Sequence, residues 1–156
     1  MEASFPPSEF RTYEGQRALL AAPRYRLITE RESESGLSAF MAVWEFPEFR
    51  FVEHFAVVPA MRGRGLGERL LKSYLEKSPG LVLLEVEPPD SEWPRRRIGF
   101  YERLGFTLNP YPYAQPPLRV GQSALPLHIM SYPGLLEERQ FAFFKETVFR
   151  VVYKVL

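Results

Sequence analysis

The sequence contains no cysteine, so disulfides, thiolate metal sites and cysteine nucleophiles are excluded. Histidine is almost as scarce. Only His54 and His128 occur, which argues against a histidine-rich metal centre. An excess of charge is missing too: 20 Lys and Arg against 19 Asp and Glu leave +1, no basis for bulk adhesion to nucleic acid or an anionic membrane. No apolar run approaches the length of a membrane span. Met1 to Ser8 lacks the basic start and long apolar stretch of a secretory signal. A cytoplasmic location is therefore the default expectation. What is present is a chain of 156 residues, 46% of them hydrophobic, enough for the core of one domain. Proline and aromatic residues are both abundant, and the prolines cluster.

The periodicities give an ordered series of elements. A helix is expected over 8–20, with Ser8 as N-cap. Strands are expected over 25–32 and 37–46, separated by the turn-like Ser33-Glu34-Ser35-Gly36. A third strand, 49–58, is apolar on both faces: Phe51, Phe55 and Val57 on one, Val52, Ala56 and Val58 on the other. That pattern suits an inner strand covered on both sides. A helix after Gly65 carries Leu66, Leu70, Leu71, Tyr74 and Leu75 on one stripe. A strand follows over 81–86, then a helix over 94–104 closed by Gly105, with a further strand starting over 106–108. Residues 109–126, with Pro110, Pro112, Pro116, Pro117 and Pro126, read as an extended ordered loop. A strand over 127–132 and a helix over 135–154 complete the chain. The stripe of that helix is Leu136, Phe141, Phe144, Val148, Val151 and Val155. The order strand–helix–strand–helix–strand after a set of hairpin strands indicates an α/β fold. Residues 1–156 read as a single domain, with its core at 25–132 and a C-terminal helical extension at 133–156.

The most informative segment runs from Val57 to Leu71, VVPAMRGRGLGERLL. Free N–H groups at a helix N-terminus, reinforced by the helix dipole, attract anions. Gly63, Gly65 and Gly67 remove Cβ atoms that would keep phosphate oxygens from the backbone. Residues 62–72 carry Arg62, Arg64, Arg69 and Lys72 against the single acid Glu68. A compact polyanion is the ligand this suits. The P-loop pattern fails, because Gly67 is followed by Glu68-Arg69. The dinucleotide pattern fails on glycine spacing. Arg62, Gly65 and Gly67 do match R/Q-x-x-G-x-G/A, and Val57-Val58-Pro59 precede them. Downstream stand Leu84-Glu85-Val86 and Tyr101-Glu102-Arg103-Leu104-Gly105-Phe106, in the order L-x-V then Y-x-x-x-G-F. On these residues the chain resembles the GNAT superfamily of acetyl-CoA-dependent N-acyltransferases, best over about 37–108.

The resemblance implies a mixed, mostly antiparallel sheet with a splayed central parallel strand pair, 49–58 and 81–87, and helices on both faces. It implies acetyl-CoA as co-substrate and no metal. The diphosphate would lie on Arg62, Gly63, Arg64, Gly65, Leu66 and Gly67. The pantetheine arm would follow Val57 and Val58, with the thioester carbonyl bonded to a backbone amide near Val57. An amine would attack the thioester directly. Tyr101 would be the general acid for the departing sulfur; by itself a tyrosine there also reads as a packed aromatic.

The base is open between Glu53, which breaks an apolar strand on the Phe51, Phe55 and Val57 face, and Glu87 at the end of the next strand. Glu85 shares the face of Glu87. A salt bridge to an arginine such as Arg95, Arg96 or Arg97 is the competing use of each. His54 is expected on the opposite face from Glu53, as a hydrogen-bonded core residue. Arg95 to Arg97 read as a solvated helix face.

The acceptor is expected to be a small-molecule amine, with a peptide or protein amine second, and neither nucleic acid nor membrane as partner. Pro94 stands where the family often has an Asn that contacts the coenzyme. That keeps a non-catalytic acyl-CoA-binding or sensor protein as the alternative. The proline–tyrosine segment 109–117 either walls the acceptor pocket or covers core. The aromatic C-terminal helix either replaces a missing N-terminal layer or forms a homodimer contact.

Overall fold

The computed structural model describes residues 1–31 and 36–155, so all but Gly36 of the turn expected at 33–36 lies outside the described residues. The chain forms two compact units, Met1–Gly80 and Leu81–Leu156. Every strand pairing within each unit, among the described residues, is antiparallel. No described helix is long and apolar enough to cross a membrane.

In the first unit the N-terminal helix is shorter than its periodicity suggests. A 3-10 turn at Pro7–Glu9 precedes α1 (Tyr13–Ala18), and a second 3-10 turn, Leu19–Ala21, follows it. Thr12, not Ser8, is the N-cap: its hydroxyl accepts from the Gly15 amide at 3.2 Å. Then β1 (Tyr25–Glu30), β2 (Ala39–Glu45) and β3 (Phe49–Val57) form a three-stranded meander. A bulge in β3 changes which residues share a face. Ala42 pairs with His54 and Val43 with Val52, so Glu53 is the extra residue. Strict alternation therefore fails: Phe51 shares its face with His54 and Ala56, and Val52 shares the other with Phe55 and Val57.

Helix α2 (Leu66–Lys77) lies on the Phe55 and Val57 side and buries Leu66, Leu70, Leu71, Tyr74 and Leu75, the stripe read from the sequence. The N-terminal segment covers the other side, where the Phe5 ring meets His54 edge-on at 4.9 Å. The strand is thus covered on both faces, as its continuous apolar run requires.

In the second unit β7 (Leu125–Tyr132) pairs with β4 (Leu81–Val86), β5 (Thr107–Leu108) and β6 (Tyr113–Gln115). The strand β6 corrects the expectation of an irregular loop over 109–126. Tyr113 and Gln115 are buried while Ala114 between them is less so, a short period-2 pattern framed by prolines. Helix α3 (Glu92–Arg103) packs toward Tyr132 on one sheet face through the turn that ends it. Helix α4 (Glu138–Val151) packs on the other, where Tyr113 meets Phe141, Phe144 and Phe149. Helix α4 starts later than 135 because Glu137 and Gln140 form a capping box, and Val155, placed on the apolar stripe by periodicity, is exposed. Asn109 pins the approach to α4. Its Nδ2 donates to Ser131 Oγ at 2.8 Å, and its Oδ1 accepts from the Leu136 amide at 2.9 Å. The tyrosines of the proline-rich segment serve the same packing: Tyr111 stacks on Phe141 and its hydroxyl donates to the Leu136 carbonyl.

Candidate active site

The glycine turn follows β3 directly. Val58 is extended, Pro59–Met61 make one 3-10 turn, and Gly65 caps α2 in the left-handed region at φ 71°. Gly63 is also left-handed, at φ 83°, and a Cβ there would meet nothing within 4 Å. The α2 N-cap offers no side-chain acceptor, so no capping side chain takes up the first-turn amides. Gly67 plays another part than the one its motif position suggests. A Cβ there would lie 3.1 Å from Val57 Cγ2 and 3.2 Å from Phe55 Cζ, so this glycine lets α2 sit close on β3.

The arginines brace the turn. Arg62 Nε donates to the Val57 carbonyl at 3.1 Å and its Nη2 to Ser4 Oγ at 3.3 Å. Arg69 Nη1 reaches the Arg64 carbonyl at 3.1 Å. The Val58 amide is taken by the Ser38 carbonyl.

Glu53 lies beside His54 rather than across the sheet from it, because the bulge turns it there. Its carboxylate accepts from Arg11 Nη1 at 2.6 Å and from Trp44 Nε1 at 2.7 Å, with 3% of the side chain exposed. The partner arginine thus comes from the N-terminal segment and not from Arg95 to Arg97. His54 Nε2 donates to the Glu9 carbonyl. Burial pushes the His54 pKa down, against a smaller upward pull from Glu53, so the ring is held neutral, a core histidine as its sequence context suggests.

In the second unit Tyr101 is buried on α3, between Phe100 and Phe106, both edge-on. Burial raises its pKa to about 12, against the nearby positive charge of Arg97. At neutral pH the phenol holds its proton. The Y-x-x-x-G-F spacing has a local cause. The Phe106 amide bonds the Tyr101 carbonyl and the Gly105 amide bonds the Glu102 carbonyl, which is a Schellman cap with its hydrophobic contact.

Glu87 is half-exposed and faces Arg97 at 4.0 Å. Glu85 is bonded by the Tyr153 hydroxyl at 2.5 Å. Arg96 pairs with Glu92 and Arg95 donates to the Pro89 carbonyl, on an exposed helix face. Arg11, Trp44 and Tyr153 escaped the sequence reading. Only the indole N–H, a donor that needs a partner when buried, was a signal.

A strand that runs through an amide-lined glycine turn into a helix is the arrangement with which α/β proteins hold phosphate groups. The profile of the acetyltransferase (GNAT) domain matches residues 24–108. A Bacteroides thetaiotaomicron protein described as a GNAT-family acetyltransferase is 36% identical, covering 98% of this chain and 87% of its own, with a TM-score of 0.90. This chain belongs to the GNAT family of acetyltransferases and has its fold, an α/β domain with a mostly antiparallel sheet. Two more distant structures share the fold. The ribosomal-protein-S18-alanine N-acetyltransferase of Escherichia coli is 22% identical over 86% of this chain and 81% of its own, with a TM-score of 0.58. An Elizabethkingia anophelis GNAT acetyltransferase with acetyl-CoA bound is 13% identical over 77% and 82%, with a TM-score of 0.56. No curated protein matches the sequence significantly.

Proposed function

We propose that this protein transfers the acetyl group of acetyl-CoA to a primary amine by direct attack. The observation that carries the reading is the turn from Arg62 to Gly67, with an open glycine, uncapped α2 amides and two arginines. It is a cradle fit for the diphosphate of the coenzyme, which is bound by relatives of the same fold. Val57 and Val58 lead the pantetheine arm away from it. The coenzyme supplies the activated acetyl group and a thiol leaving group.

Two protons leave the acceptor ammonium. Glu87, the accessible carboxylate, takes the first through water. The nitrogen then adds to the thioester carbon, the C–S bond breaks, and the sulfur takes the Tyr101 proton. The nitrogen's second proton restores the phenol, so the cycle closes without an acyl-enzyme. Glu53, filled by Arg11 and Trp44, is the less available base. Its sealed carboxylate is also what favours the second reading, an acyl-CoA-binding protein that does no chemistry.

The acceptor we favour is a small-molecule amine, with a peptide or protein amine second. An acceptor panel that follows thiol release from acetyl-CoA tests the reading. Tyr101→Phe is expected to lower kcat about a hundredfold while acetyl-CoA affinity stays within a factor of about two. Acetyl-CoA binding with no thiol release from any amine would instead establish the sensor.

A further inference from the structure

The acid and the base of the proposed mechanism share one cation. Arg97 stands on α3 four residues before Tyr101, one helical turn away on the same side of the helix. Its Nη1 lies 4.0 Å from Glu87 Oε1, beyond the end of β4. Its neighbours are engaged otherwise. Arg96 is bonded to Glu92, and Arg95 to the Pro89 carbonyl. An exposed pair at 4.0 Å contributes little to stability, so it gives the fold scant reason for an arginine here.

We propose that Arg97 is a positioning residue for acetyl transfer, holding Glu87 toward the site and offsetting the negative charge that Tyr101 carries once it has given its proton to the sulfur. The inference rests on the acetyl-transfer reading. The step needs no further reactant. The O–H bond of Tyr101 breaks, an S–H bond forms on the coenzyme, and the phenolate lasts until the acceptor nitrogen releases its second proton. Of the elements packed against α3, β4 brings Glu85 and, just past its end, Glu87; β7 brings His128 and Tyr132 on the face toward α3; and β5 (Thr107–Leu108) brings no charge. Glu85 is bonded to Tyr153, on the sheet face that carries α4. Burial alone raises the phenol, and the charge of Arg97 is what opposes it.

Two measurements test the link. In steady-state kinetics Arg97→Gln is expected to lower kcat about tenfold with KM for acetyl-CoA within about twofold. Arg97→Lys should recover most of that loss, and Arg96→Gln, which removes an equal charge one residue away, should stay at the parent rate. A kcat unchanged in Arg97→Gln, an equal loss in Arg96→Gln, or a loss confined to KM for acetyl-CoA would overturn the proposal. The second measurement needs no activity: 19F NMR titration of a difluorotyrosine placed at 101. Arg97→Gln should move its midpoint upward, whereas an unmoved midpoint refutes the link. A moved midpoint in a protein that releases no thiol from any amine upholds the Arg97–Tyr101 coupling and refutes the acetyl-transfer reading.

Discussion

The Glu53 carboxylate illustrates how a single side chain can be read two ways. In the sequence it is an acid breaking an apolar strand, which fits a buried base equally with half of an ion pair. The structure supplies two donors, Arg11 and Trp44, and leaves 3% of the side chain exposed. Removing one donor strands the charge. Arg11→Ala is expected to destabilise the fold by about 2 kcal/mol, read as a lower denaturant midpoint with unchanged slope. A midpoint equal to the parent's would mean that the pair holds nothing together. Tyr101 has the opposite history. Its motif was legible, yet the same spacing is what a Schellman cap requires, so the motif by itself records a helix end as much as a proton donor.

At the scale of elements, the end of α3 is the sharpest case. Gly105 sits at φ 99°, and a Cβ there would meet Tyr132 Cε2 at 3.0 Å. Gly105→Ala should therefore cost about 2 kcal/mol, from left-handed strain and the clash together. Gly121 has a similar φ of 85° with nothing within 4 Å, so Gly121→Ala should cost about half as much. Equal losses in thermal unfolding would show that the ring contact is harmless. Elements with a strong period were placed well from sequence: α2 and its five buried residues, β4, and the apolar run of β3. Elements that depend on a partner were not. β6 exists because β7 is there to pair with it, and its three residues are too few to show a period. The β3 bulge left no mark in the sequence either, so the face assignments from His54 onward were inverted relative to Phe51.

For the whole molecule, ligand binding is the simplest global readout. If the α2 turn holds a coenzyme, acetyl-CoA at a hundred times its dissociation constant adds about 2.7 kcal/mol to the stability of the folded state. A rise of several degrees in Tm is expected with acetyl-CoA and with coenzyme A, and none with NAD at the same concentration. Stabilisation by NAD alone would point to a different phosphate ligand.

Family membership was readable from the linear chain because its evidence is local. A glycine at a left-handed position, a proline that stops a strand and a helix stripe each answer to backbone sterics within a few residues. Those constraints wrote Arg62 to Gly67 and Tyr101 to Phe106 into the order of amino acids. Partners have no such spacing. Arg11 reaches Glu53 across 42 positions, and Tyr153 reaches Glu85 across 68. Which carboxylate is sealed and which is left open to solvent was decided only when the folded chain brought donors to some and not to others.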